Sequence, residues 1–400
     1  MTSTTTRVVI TGIGMVTPLG DNFPDTVAAL ERGESAQESV VSIDGSSQPL
    51  RVVQIESFQP RLHFRAPKAL KLANRRTELA VAAAAMAIEN AGLSETSLEG
   101  LRHEVLIGCS SSDLHIEELA QAVGYDPDNK AATDIPFFSQ RILNGLNPLW
   151  LLTHLPNMVS AHVAIQLEAT GPNSTLMTAG VAGQQAIGEG FRSIQSGEAD
   201  LVLAGGADCG TALFDIACFA YDAQFATQSD AKHLAVAEGS AMLVLENYDH
   251  AQKRNAAIYC EITAHADCSP PAQGTLDSTV PRSIGSVVRE SGWKGHDVDC
   301  ISSALSGNQD LDAGISSAYE EALGARSEGF QQIELDSRLG HTFAAAGPIS
   351  CAFLANRVAR DRRIDKAVSH ALSYSGHSIS IAMQRFRKEG DSDRDGRTVT

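Results

Sequence analysis

An α/β fold is predicted by two features: short, continuously apolar runs rich in β-branched residues, and helix-like stretches alternating with them. The runs are RVVITGI (7–13), EVLIGCS (104–110), STLMTA (174–179), ADLVLAGGA (199–207) and SAMLVLE (240–246). Their composition suits strands buried on both faces. Helices are expected over 77–91, 157–167, 181–196 and 311–323, and such alternation indicates α/β layers. The second half repeats the style with IYCEITAHAD (258–267), DCISSAL (299–305) and HSISIAM (377–383), without a fixed-period repeat. A boundary near residue 250, after LENYDHAQKRN, divides an N-terminal half (1–250) from a C-terminal half (251–387). The final stretch, RKEGDSDRDGRTVT, is charged and poor in apolar residues, so 388–400 is expected to be a disordered tail.

The chain has 400 residues, 43% hydrophobic and 20% charged, which gives ample material for a core. Its 31 basic and 48 acidic residues sum to −17, which argues against a general nucleic-acid binder. Seven cysteines are irregularly spaced without a C-x-x-C pair, so neither a zinc site nor a disulfide framework is expected. The start, MTSTTTRVVITGIG, enters a strand almost at once, with no signal-peptide pattern. The longest apolar run, LAVAAAAMAI at 79–88, is far short of the roughly 20 residues that span a bilayer. A cytoplasmic protein without metal, cofactor or membrane contact is the expectation.

Several short motifs carry the functional question. TGIGMVTPLG (11–20) fails the G-x-G-x-x-G dinucleotide pattern, because Thr17 takes the third glycine position, and reads as a structural turn. RAPKALKLANRRTELA (65–80) gathers Arg65, Lys68, Lys71, Arg75 and Arg76 at spacings that share one helix surface. That is either a solvated face or a docking site for an acidic partner. RLGHTFAAAGP (338–348) sets His341 at the start of a small-residue helix, and SYSGHS (373–378) puts Tyr374 on a tight turn. GPNSTLMTAGVAG (171–183) has the build of a strand running into a helix, a corner where a helix N-terminus stabilises negative charge. Where a nucleophile would sit, the corner holds Gly180.

Together these segments resemble the condensing enzymes of the thiolase fold. The resemblance is closest to elongating β-ketoacyl-ACP synthases and to their non-catalytic partners, the chain length factors of type II polyketide synthases. It is carried by RVVITGIGMVTPLGDN, LPNMVSAHVAIQLEATGPNSTLMTA, LVLAGGAD, AEGSAMLVLENYDHAQKR and LGHTFAAAG, in order from about Arg7 to Arg387. It implies two duplicated α/β halves in five layers (α-β-α-β-α), a dimer, and a segment around 137–165 at the dimer interface. Active members keep Thr-Ala-Cys at the corner, two histidines and a lysine for decarboxylating malonyl-ACP, and a Gly-Phe-Gly-Gly turn for the oxyanion hole.

Carried over residue by residue, the nucleophile position is Gly180, the first histidine Leu305 in SALSG (303–307), and the lysine Asp336. The second histidine is retained as His341, and the oxyanion-turn equivalents are Gly180 and Tyr374. Glycine cannot form a thioester, so the resemblance implies a chain length factor: a subunit paired with an active synthase, fed by acyl carrier protein, whose side chains close an acyl tunnel. Chain length factors of aromatic systems carry Gln at this corner, and the chain departs from them there. The candidate tunnel residues are Ile116, Phe137, Phe138 and Trp150, and the candidate carrier-protein contacts are Lys68, Lys71, Arg75 and Arg76. The alternatives are an unusual acyl-ACP decarboxylase or acyltransferase using His341, and an acyl-binding protein with no synthase partner.

Overall fold

The structure is a computed structural model. It describes residues 6–42, 50–94, 100–110, 118–120, 135–210, 235–270, 278–303, 309–324, 329–373 and 375–388. Strands β1 (Val8–Val16), β2 (Ser39–Val41), β3 (Leu50–Val53), β4 (His103–Gly108), β5 (Asn173–Leu176), β6 (Leu201–Cys209) and β7 (Val236–Asn247) fall before residue 250. After it come β8 (Cys260–Cys268), β9 (Cys300–Ser302), β10 (Gln331–Ile333), β11 (Lys366–Leu372) and β12 (Ser378–Gln384).

The strand order is β10-β9-β11-β12-β8-β1-β7-β6-β4-β5, with the β2–β3 ribbon joined to β7 through β3. Two five-strand sets lie within it. In the first, β5, β4 and β6 are parallel while β7 is antiparallel to both β6 and β1. In the second, β10, β9 and β11 are parallel while β12 is antiparallel to both β11 and β8. The sets share one order and one pattern of directions. They meet where Val8–Ile10 pairs with Cys260–Ile262.

Two helices lie between the sets: the corner helix (Ala182–Gln195), which touches β4 and β6 on one side and β8 and β12 on the other, and the helix Ala346–Arg360. The helix Arg75–Asn90 covers the outer face of β1, β6 and β7, and Thr279–Glu290 covers that of β8 and β12, with Gln309–Leu323 packed on it. The result is five layers, and each interlayer has its own apolar core. The central one includes Ile187, Ile194, Leu243 and Phe353; the outer ones are built around Val81 with Leu203 and around Ile284 with Tyr319. At 25–30 cal/mol per Å² of buried apolar surface, side chains of this size each stabilise the fold by roughly 2 kcal/mol.

Close approach of the layers relies on glycine. A Cβ on Gly14 in β1 would lie 1.9 Å from the Ala83 carbonyl oxygen of the Arg75–Asn90 helix. TGIGMVTPLG is therefore strand plus turn: Thr17 and Gly20 exchange backbone hydrogen bonds of 2.9 and 3.1 Å.

Two sequence expectations change. The STLMTA run predicts a strand buried on both faces, but Asn173 and Ser174 of β5 are exposed, because β5 is the edge of its set. The basic stretch is not one helix face. Pro67–Leu72 is a 3₁₀ turn, Ala73 is extended, and the α-helix starts at Arg75 behind its cap Asn74, whose side chain accepts from Thr77 N–H at 2.9 Å. The 388–400 tail lies outside the described residues from 389 onward.

Candidate active site

β5 ends at Leu176, and after Met177 and Thr178 the chain makes a 3₁₀ turn, Ala179–Val181, into the corner helix. Ala179 has φ +53°, the left-handed region, which costs a residue with a Cβ on the order of 1 kcal/mol. Gly180, the next residue, has no positive φ. A Cβ built on it would meet only the His341 ring, with Nε2 at 3.9 Å, an ordinary contact. Neither backbone conformation nor space therefore requires glycine at 180. At Gly183, one turn on, space does: a Cβ would stand 2.1 Å from the Ala344 carbonyl oxygen.

His341 enters this corner on a fixed backbone. Its N–H donates to the Ala235 carbonyl at 2.7 Å, and its carbonyl accepts from Ala237 N–H at 3.0 Å. The ring stands edge-on to Phe343, centroids 4.6 Å apart, and Nδ1 lies 3.5 Å from Asp336 Oδ2. Both His341 and Asp336 are buried. The position that the family resemblance assigns to a lysine thus supplies a carboxylate facing the histidine's distal nitrogen.

Beneath the corner is a buried ion pair that no sequence motif announces. Arg76 Nε lies 3.0 Å from Asp208 Oδ1, and both side chains are 1% exposed. Asp208 Oδ2 also accepts from Ser110 N–H (3.0 Å) and Ala344 N–H (3.1 Å), so it holds the turn that follows His341. Next to it, Glu238 accepts two hydrogen bonds from Arg75 (both 2.9 Å) and one from Ile55 N–H (2.7 Å). Arg76 is consequently not a surface cation, since its charge is buried against Asp208, while Arg75, its side chain 29% exposed, is turned toward Glu238. Lys68 and Lys71 are exposed, as are Arg61 and Arg65 in the same stretch.

All six described cysteines are free and buried. Burial pushes the Cys109, Cys300 and Cys351 thiols up to about 12, and Cys260 and Cys268 also upward. Cys209 is buried with its thiol directed at Glu238 Oε2, 3.4 Å away. A thiol shifted upward by burial carries almost no thiolate at neutral pH. Among the described residues no group of His, Cys, Asp or Glu is placed to hold a metal ion.

Leu305, Ile116 and Tyr374 lie outside the described residues, and Phe137 and Phe138 fall in the helix Ile135–Gly145. Trp150 stacks on His154, ring centroids 4.2 Å apart, in the short helix Trp150–His154. The structure brings the corner and His341 together, while the candidate tunnel residues are not joined to them by any described contact.

The profile of the family described as "Beta-ketoacyl synthase, N-terminal domain" matches residues 5–251. The chain belongs to the beta-ketoacyl synthase family. Among its relatives is "Actinorhodin polyketide putative beta-ketoacyl synthase 1" of Streptomyces coelicolor, 28% identical over 362 residues, covering 86% of this chain and 76% of that protein. Another is "3-oxoacyl-[acyl-carrier-protein] synthase 2" of a Synechocystis species, 25% identical over 426 residues and covering 95% and 98%. Solved structures share the thiolase-like fold. "The ishigamide ketosynthase/chain length factor" superposes with a TM-score of 0.81 at 22% identity, over 96% of this chain and 100% of that one. A beta-ketoacyl synthase from Burkholderia phymatum does so at 0.76 and 23%, over 96% of this chain and 100% of that one.

Within the family the corner has a stated chemical limit here. His341 can hydrogen-bond a carbonyl or stabilise a developing enolate oxygen. Gly180 offers no atom on which an acyl group could be carried.

Proposed function

We propose that this chain is a catalytically inactive ketosynthase-like subunit that pairs with an active β-ketoacyl synthase and shapes the acyl tunnel that sets polyketide or polyene chain length. The observation that carries the reading is Gly180: a side chain fits there, none is present, and no described thiol takes its place. A subunit retained in this state acts through its surface and its bulk. Asn173 and Ser174 are exposed on the edge strand β5, and Met177, Leu151, Leu155 and Ile165 are exposed large apolar side chains. Apolar side chains near a strand edge mark a surface that a partner covers. The similar ishigamide structure is of a ketosynthase/chain length factor, and a second one, AntDE:AntF, is of a type II acyl carrier protein in complex with its ketosynthase.

Acyl carrier protein is the second partner of this reading, with Lys68 and Lys71 as the exposed cations facing it. The reading places the protein in the cytoplasm, and no described helix is long and apolar enough to cross a membrane. The decisive experiment is co-expression with a synthase that carries Thr-Ala-Cys. A stable 1:1 complex is expected, whereas a soluble homodimer indifferent to that synthase would refute the pairing. In the complex, Ile116→Trp is expected to shorten the product, because chain length is limited by the bulk at the tunnel floor.

One observation favours a second reading, a decarboxylase or acyltransferase: His341 is held rigidly at the corner and faces Asp336. It requires turnover by the isolated chain that His341→Ala abolishes.

A further inference from the structure

From the corner, a line of polar side chains runs across the central layer to the second set of strands. Thr178 Oγ1 donates to Gln185 Oε1 at 2.7 Å, and Gln185 Nε2 donates to Asp267 Oδ2 at 3.0 Å. The other Asp267 oxygen takes a short hydrogen bond from His377 Nε2. Thr178 immediately precedes the left-handed Ala179, Gln185 is on the corner helix, Asp267 is near the end of β8, and His377 directly precedes β12. His377 is tied back to the β11 end by two further bonds, Ser373 N–H to its carbonyl (2.9 Å) and its own N–H to Ser373 Oγ (3.2 Å). Apolar packing runs alongside: Val181 of the corner touches Ala371 and Ile379 on β11 and β12.

A strained backbone persists only where its surroundings over-determine it. Ala179 is such a case, since the glycine that follows it would let the turn relax at little cost. Burial, the largest single influence, would raise the Asp267 carboxyl, but the hydrogen bond from His377 and the charges of His377, His265 and Arg192 together outweigh it, so the group lies below the usual carboxylate range and is ionised at neutral pH. An ionised acceptor strengthens both of the bonds it receives.

We propose that Thr178, Gln185, Asp267 and His377 form a positioning relay between the two halves that keeps the vacated corner in acyl-accepting geometry. The site is on this view dormant: it lacks its thiol and keeps the device that would aim one. This rests on the reading of position 180 as the nucleophile position, but not on the pairing with a synthase. With a thiol at position 180 the step is transthioesterification. The thiolate attacks the carbonyl carbon of an acyl thioester, a new C–S bond forms, the C–S bond to the donor thiol breaks, and that thiol leaves after taking a proton.

The test uses the full chain carrying Gly180→Cys, with the parent chain as the labelling background. Two probes are applied: iodoacetamide over a pH series, and a hexanoyl thioester read by intact mass. The Gly180→Cys thiol is expected to alkylate with a midpoint about one pH unit below that of a free cysteine, near 8.5, and to take one hexanoyl group. His377→Ala in that background, which leaves the Asp267 carboxylate unpaired, should slow alkylation at neutral pH about tenfold, the effect of one unit in thiolate pKa. His377→Gln, whose amide still donates to Asp267, should restore most of the rate. Gln185→Ala is the milder variant should the charged pair prove necessary for folding. Undiminished alkylation in relay variants whose circular dichroism and thermal unfolding match the Gly180→Cys chain would overturn the relay. A Gly180→Cys thiol that reacts no faster than free cysteine and takes no acyl group would overturn the dormant site.

Discussion

Arg76 shows at the scale of one residue how spacing along a sequence can mislead about a charge. By spacing it belongs with Arg65, Lys68 and Lys71 as a surface cation. The chain interposes a 3₁₀ turn and the extended Ala73 between those residues and the helix, so the periodicity that groups them breaks just before Arg75. Arg76 then points inward to Asp208. Removing one partner of a buried pair leaves the other charge unsolvated and unpaired, which costs about 3–5 kcal/mol. Arg76→Met is therefore expected to lower the free energy of unfolding by about 3 kcal/mol or more, read from the urea midpoint at constant slope. Because Asp208 also holds Ser110 and Ala344, the same variant should loosen the turn behind His341. The site residues divide on the same principle. Gly180 and His341 are candidates that the family resemblance supplies, because its motifs stand in order along the chain. Asp208, Asp267, Gln185 and His377 are not, since their roles arise from side-chain pairings 82, 110 and 132 residues apart along the chain. A charged residue ending an otherwise apolar run, as in LVLAGGAD and EITAHAD, is the available signal for both aspartates.

Among elements, the strands that read most clearly are those buried on both faces, β1, β6 and β7, where apolar runs are continuous. β11 escapes the pattern because Ser369 and His370 interrupt its apolar run. Both are inside, Ser369 bonded to Gln184 (3.2 Å) and His370 to Tyr319 and Ser378 (2.8 and 3.0 Å). A polar side chain whose hydrogen bonds are satisfied can be buried as readily as an apolar one, and hydropathy does not register the difference. The duplicated strand order leaves no fixed-period sequence repeat for a related reason: layers constrain which positions are apolar, not which residues fill them. β1 gives the element-level prediction. Its packing on the Arg75–Asn90 helix depends on the missing side chain at Gly14, where a Cβ would overlap a backbone oxygen rather than a movable side chain. Gly14→Ala should separate strand from helix and destabilise the protein by about 1–3 kcal/mol, seen as a lower thermal midpoint.

Two buried histidines make the acid stability of the whole molecule predictable. His265 on β8 packs against Gly188 of the corner helix, so its ring sits in the seam between the central layer and the second sheet. Burial pushes it down to about 4, the nearby Arg192 adds to the shift, and Asp267 opposes it. Burial likewise pushes His370 down to about 3, between the Tyr319 hydroxyl and Ser378. Both rings are neutral in the folded state at pH values where an unfolded chain, with its histidines near 6.5, has already taken up protons. The unfolded state thus binds more protons below pH 6.5, and stability falls as the pH falls from there toward 4. For His265 the loss over that window is about 3 kcal/mol. The ion-paired carboxylates act in a lower range: Asp200, hydrogen-bonded by Arg102, and Asp361, hydrogen-bonded by Arg363, are both held below their ordinary value. Between pH 6.5 and 4 the histidines should therefore dominate the slope. Urea unfolding at successive pH values is expected to show the decline beginning near 6.5, and His265→Leu should flatten it. A variant curve parallel to that of the parent chain across this window would mean that His265 is already protonated in the folded protein, and that the seam between the layers tolerates a charge.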